Sequence, residues 1–165
     1  MKNGKIKIPG WAAVAVLVLI MGWYALSDPM VSLNNRMLQK EIRAIPEQTA
    51  EVALNDIVPF EWSEMYAFGP YTSREYIEQT IGLQSKAIGE TVNEGMVQFI
   101  FVNSSREMVM ASVCGYPENL GYTFSLLGAE QDGGEGDNYC RLTPSDNAVF
   151  DKTVENGVTV LTYRK

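Results

Sequence analysis

Histidine is absent from the chain. With it go the commonest general base and the commonest zinc ligand, so histidine-dependent hydrolysis and the usual zinc sites are excluded. Cysteine is scarce, with Cys114 and Cys140 the only two. Neither lies near the N-terminal apolar segment, so a lipoprotein anchor is excluded. The serine signatures G-x-S-x-G and S-x-x-K are missing. Cations are outnumbered, thirteen Lys and Arg against twenty Asp and Glu. From residue 31 onward the balance is ten against nineteen, near −9. A body of that charge repels phosphate backbones, so no nucleic-acid partner is expected, nor a flat anionic membrane-surface role. No internal repeat is present.

The feature the chain does carry is Trp11–Leu26, sixteen residues without a charge, entered by a tip containing Lys2, Lys5 and Lys7. Read back to Ile8, the apolar run has nineteen residues. At about 1.5 Å per helical residue it matches a hydrocarbon core of roughly 30 Å. Three readings compete: an uncleaved signal anchor, a cleaved secretory signal, and a buried core helix. The lysine-rich tip argues for a targeting segment. Ala25-Leu26-Ser27 places small residues where a signal peptidase reads, whereas Trp23 and Tyr24 suit the interface of a retained span, which is favoured. The nearby lysines place the N-terminus inside. An even pair of cysteines in the body suits an oxidising compartment, so Cys114 and Cys140 are expected to pair outside the cytoplasm. That bridge would close a loop of about 25 residues, worth roughly 3 kcal/mol by loop-closure entropy.

Residues 31–165 suffice for one ordinary domain. Asp28-Pro29 can start a helix, and Leu33, Met37, Leu38, Ile42 and Ile45 make one stripe before Pro46 stops it. Asn34-Asn35 weakens that helix, which is either a stalk continuous with the span or a first element packed on the body. In Glu51–Tyr71, a strand would put Phe60, Trp62, Tyr66 and Phe68 on one face, with Glu64 interrupting. Gly69-Pro70 turns the chain. Thr72 and Glu75 read as a capping box for a helix over Ser73–Ile81, closed by Gly82. MVQFIFVN and EMVMASVCGY flank Ser104-Ser105-Arg106 as a hairpin, further strands fall at Tyr122–Leu127 and Tyr139–Leu142, and Asn156-Gly157 marks a second hairpin. The expected assembly is α+β: an N-terminal transmembrane helix, then one small domain with a four- to six-stranded antiparallel sheet and one or two packed helices. Its parts are a cytoplasmic basic tip (1–10), a transmembrane signal anchor (11–27), a juxtamembrane helix (28–46) and an extracytoplasmic domain (47–165).

Candidate sites are few. Glu130, Asp132, Glu135, Asp137 and Asn138 offer oxygens to calcium, but two glycines occupy ligand positions and a solvated loop is the better reading. Glu61 with Glu64, or Glu75 with Glu78, could be a hydrolase's paired carboxylates, yet on a strand the first pair diverges and on a helix the second is a solvated face. Cys114 has no histidine to activate it. At Thr72, Ser73 and Arg74, a helix start, two hydroxyls and a guanidinium converge where an anion could sit; a capped helix with Arg74 in solvent is the plainer account. Trp62 is either core or a stacking platform for a sugar. Neither metal nor cofactor is expected.

The run PFEWSEMYAFGPYTSREYIEQTIG, with NGVTVL near the C-terminus, resembles a group of uncharacterised small bacterial proteins that carry a signal anchor or a lipoprotein signal. The shared pattern is Phe-x-Trp-x-x-x-Tyr-x-Phe-x-Pro-Tyr-Thr, here Phe60, Trp62, Tyr66, Phe68, Pro70, Tyr71 and Thr72. The resemblance implies a membrane-anchored extracytoplasmic domain and transfers no catalytic residue. The expectation is a non-enzymatic, single-span module in the cell membrane, secreted if cleaved, that binds an envelope protein as accessory, inhibitor or immunity factor. The alternative is a glycan- or anion-binding domain. A hydrolase comes third.

Overall fold

The computed structural model describes residues 28–126 and 139–164. The apolar run and the acidic calcium-candidate loop lie outside the described residues, and no described helix is long and apolar enough to cross a membrane. The elements are α1 (Pro29–Ala44), β1 (Glu51–Ala53), α2 (Leu54–Ile57), β2 (Glu64–Phe68), α3 (Arg74–Ile81), β3 (Val97–Val102), β4 (Val109–Gly115), α4 (Pro117–Leu120), β5 (Tyr122–Ser125), β6 (Tyr139–Leu142), a 3-10 turn (Pro144–Asp146), β7 (Val149–Glu155) and β8 (Val158–Arg164).

The fold is α+β, with two four-stranded sheets rather than one. One sheet has the order β1-β7-β8-β5, the other β4-β3-β2-β6. Every pairing is antiparallel except β5 with β8. The sheets face each other across one core. Met65, Phe99, Phe101, Ala111 and Leu142 of the second sheet share it with Val52, Phe124, Phe150 and Leu161 of the first. The second sheet's other face carries Tyr66, Phe68, Ile100, Val102 and Val109, covered by Ile77 and Ile81 of α3 and by Ile88. Burial on both faces is why β3 reads as an apolar run from Phe99 to Val102. The outer face of the first sheet is polar, and Arg164 there binds Glu51 and Asp151. The Asn156-Gly157 turn joins β7 to β8, both residues in the left-handed region at φ 51° and 82°.

Helix α1 begins where the sequence places it: Asp28 caps Val31 N–H at 3.2 Å and Pro29 follows. It packs on the body, with Leu38 and Ile42 fully buried. Its inward stripe, however, is Val31, Asn34, Leu38 and Ile42, while Leu33 is 56% exposed. The asparagines explain the rotation. Strand β4 is a sheet edge whose backbone would otherwise face solvent. Asn34 Nδ2 donates to Met110 O at 2.7 Å, Asn35 Nδ2 to Ser112 O at 2.7 Å, and Ser112 N–H donates to Asn35 Oδ1 at 2.9 Å. The two carboxamides thus stand in for a neighbouring strand.

Three further expectations are corrected. The aromatic row is split, because the chain from Val58 to Ser63 is irregular and two-residue parity starts only at Glu64. Tyr66 and Phe68 stack on the helix-covered face with Tyr139, whereas Phe60 and Trp62 pack against Phe101 on the opposite face. The N-cap of α3 is Ser73, not Thr72, since Ser73 Oγ accepts from Tyr76 N–H. Finally, Cys114 and Cys140 form no disulfide. They occupy β4 and β6, opposite edges of the second sheet with two strands between. At roughly 4.8 Å per strand their backbones are about 14 Å apart, beyond the ~7 Å limit for a bridge.

Candidate functional site

A concavity built from fixed elements lies where helix α2, the chain leading into β2 and the β3–β4 turn meet. Helix α2 is tied to the first sheet by Leu54 N–H donating to Ala148 O at 2.9 Å, and it buries Leu54 and Ile57. The chain then runs through Val58, Phe60 and Trp62 before Ser63 N–H rejoins the second sheet at Val102 O, 2.9 Å away. Phe60 and Trp62 meet the buried Phe101 ring edge to face, at centroid distances of 5.6 and 5.7 Å. These contacts fix one side of each ring. Around them is a cleft of about 550 Å³ with apolar walls from Val58, Phe60, Trp62, Met110 and Pro144 and polar groups from Asn55, Glu61, Asn103 and Ser104. Asn55 Nδ2 donates to Pro144 O at 3.0 Å, and Asn103 Oδ1 accepts from the N–H groups of Glu107 and Met108, so the polar rim is held in place.

Beside this cleft is a buried carboxylate. Glu64 is 7% exposed, and Tyr66 Oη donates to its Oε2 at 2.8 Å. Its Oε1 accepts from Arg106, on the β3–β4 turn, and from Arg141 Nη1 at 3.2 Å, on β6. Burial works to raise the Glu64 carboxyl, but the hydrogen bonds from Arg106 and Tyr66 and the charges of Arg106 and Arg141 outweigh it and hold the group below 4.5. Burial and the Glu64 carboxylate push the Tyr66 phenol up to about 12, so it stays a neutral donor. Three elements are thereby clasped together. Arg106 reaches the carboxylate from a left-handed backbone at φ 54°, a conformation unusual outside glycine and asparagine.

That clasp predicts a pH dependence. A carboxyl lowered in the folded state contributes stability that is present above its unfolded value near 4.5 and lost as pH falls through its folded value. Glu64→Gln is therefore expected to cost about 1–3 kcal/mol at neutral pH. Between pH 5 and 3 its unfolding midpoint in urea should change less with pH than the wild type's. Parallel pH profiles would mean that Glu64 is not the group responsible.

The residues singled out from sequence are not all brought together. Thr72 is buried and Ser73 caps α3. Thr72 Oγ1 donates to Gly69 O, and its N–H donates to Thr91 Oγ1. Arg74 donates to Glu78 Oε1 and Ser85 O. The three groups converge on internal partners. Trp62 is half-buried, both packed on the core and lining the cleft. Glu61 is exposed while Glu64 is sequestered by arginines, so they do not act as a carboxylate pair. Glu75 accepts from Gln79 and Glu78 from Arg74, both within α3 or its flank. The Cys114 thiol is pushed up by burial and by Glu90, the reverse of an activated nucleophile.

The Glu64–Tyr66–Arg106–Arg141 clasp was not foreseen, although its signal was present: a Glu on an otherwise aromatic strand face needs a cation from another element. No protein-family model, no curated protein and no solved structure matches the chain.

Proposed function

We propose that the chain is a single-span, membrane-anchored extracytoplasmic module whose body binds an envelope protein, without catalysing a reaction. The observation that supports it best is the cleft edged by Trp62: preformed, open, mixed in polarity and walled by rings whose inner edges are fixed on Phe101. Half-buried aromatics with one held side are the residue type that anchors protein contacts at low entropic cost. The lysine tip and the apolar run support a body outside the cytoplasmic membrane. The same cleft also favours one second reading. Asn55, Glu61, Asn103 and Ser104 around an indole are groups a glycan would use.

The test is cross-linking and affinity capture from intact cells of the source organism with the full-length protein, against an anchor of residues 1–27 alone and against Trp62→Ala. With one ring side still in solvent, that substitution is expected to cost about 1–2 kcal/mol of stability, less than a fully buried aromatic. It is expected to abolish enrichment of a specific envelope protein while the folded domain persists by circular dichroism. Retention of envelope polysaccharide rather than protein, lost with Trp62→Ala, would move the glycan reading to the front. Enrichment indifferent to Trp62 would detach binding from this cleft.

A further inference from the structure

The geometry points to a membrane-apposed face on the body, formed by the first turns of α1 and the β3–β4 turn, which seats Met30, Leu33 and Met108 in the lipid head-group layer. The inference rests on the reading that the apolar run spans the bilayer, and it adds an orientation that the span alone does not impose.

Helix α1 and strand β4 run alongside each other in the same direction. Asn34 bonds Met110, Asn35 bonds Ser112, and Gln39 Nε2 donates to Leu120 O at 2.9 Å. The start of α1 is therefore beside the start of β4, and Val31 shares one buried cluster with Val109. At this end the molecule leaves apolar side chains in solvent. Leu33 is 56% exposed, Met108 45% and Met30 36%. These are half of the large hydrophobic side chains exposed among the described residues, so the apolar surface is concentrated rather than scattered.

Chain length says what covers them. The apolar run ends at Leu26 and α1 is already capped at Asp28. Two residues reach at most about 7 Å, whereas the head-group layer adds roughly 5–7 Å on each side of the hydrocarbon core. With Leu26 at the inner boundary of that layer, Asp28 lies no farther out than about its outer edge, so the first turn of α1 starts against the head groups. The acidic body is repelled by anionic lipid elsewhere, which confines the contact to this apolar end. Arg106 extends from the same β3–β4 turn, half-exposed, with Glu64 as its partner.

The test is methyl NMR of full-length protein, labelled at methionine methyls, in nanodiscs of phosphatidylcholine with a minority of phosphatidylglycerol. Lipid carrying a spin label near the head group is compared with a water-soluble gadolinium chelate. Met30 and Met108 are expected to be broadened severalfold more by the lipid label than the fully buried Met65, and protected from the chelate. In Leu33→Ser/Met108→Ser, Met30 should lose most of its lipid-induced broadening while the thermal midpoint is unchanged. Met21, inside the apolar run, separates the two claims. A Met21 untouched by lipid labels placed deep in the acyl chains overturns the spanning reading. A lipid-exposed Met21 with Met108 open to the chelate overturns the apposed face alone. Met30 and Met108 shielded from both probes would mean that protein, not lipid, covers this end, and would equally overturn it.

Discussion

Phe101→Ala is expected to remove about 3–5 kcal/mol, a large share of the 5–15 kcal/mol that holds a domain of this size together. Phe101 is fully buried in β3, between the two sheets, and is the ring on which Phe60 and Trp62 both rest. Truncation opens a cavity and also removes the support for the cleft walls. The loss should appear as a lower urea midpoint with an unchanged slope. Because the cleft depends on the same ring, partner capture should fall together with stability, whereas Met108→Ser should leave both near the wild-type level. A loss under about 1 kcal/mol would contradict the placement of Phe101 at the centre of the core.

Asn34→Ala/Asn35→Ala is expected to cost about 2–5 kcal/mol, because it strips three hydrogen bonds and leaves the Met110 carbonyl and both backbone groups of Ser112 without partners under a docked helix. Alanine is a better helix former than asparagine, so in isolation α1 would gain from the change. The prediction is therefore a conflict of signs: higher intrinsic helicity with lower stability of the whole. A second consequence is association, since an uncovered edge strand recruits another. Sedimentation velocity of detergent-solubilised protein should show the variant forming larger species as concentration rises. A variant as stable and as monodisperse as the wild type would mean that the helix docks by its leucine and isoleucine alone.

These two sites also mark what the residues reveal unaided. Elements with local signatures are legible: the Asp28-Pro29 start of α1, Gly82 closing α3, the turn around Ser104–Arg106, Asn156-Gly157, and the strand at Tyr139–Leu142. What local patterning does not carry is partnership. The apolar run in β2 and the alternation in β7 mark each as a strand, but nothing in either says that they belong to different sheets. The parallel pairing of β5 with β8 has no local sign at all. Asn34-Asn35 looks like a flaw in a helix until β4 supplies carbonyls for it. The same holds for the candidate site. Trp62 was legible as core or platform and has a share of both. Thr72, Ser73 and Arg74 form a plausible corner whose donors are taken by Gly69, Ser85 and Glu78. The cysteine pairing failed because parity of number says nothing of distance across a sheet.

The strand order has a consequence for how the chain is made. In the first sheet β1 pairs only with β7, and β5 only with β8, so Val52 waits for Phe150 and Phe124 for Leu161. A polypeptide emerging from the ribosome N-terminus first thus releases most of its length before that sheet can close. The β7–β8 hairpin, with its local Asn-Gly turn, forms on the microsecond scale once it is released. It then gathers two strands that have stood unpartnered since they emerged. Synthesis halted before Val149 would deliver a body with two open strand edges and an uncovered apolar face, a natural substrate for chaperones and proteases.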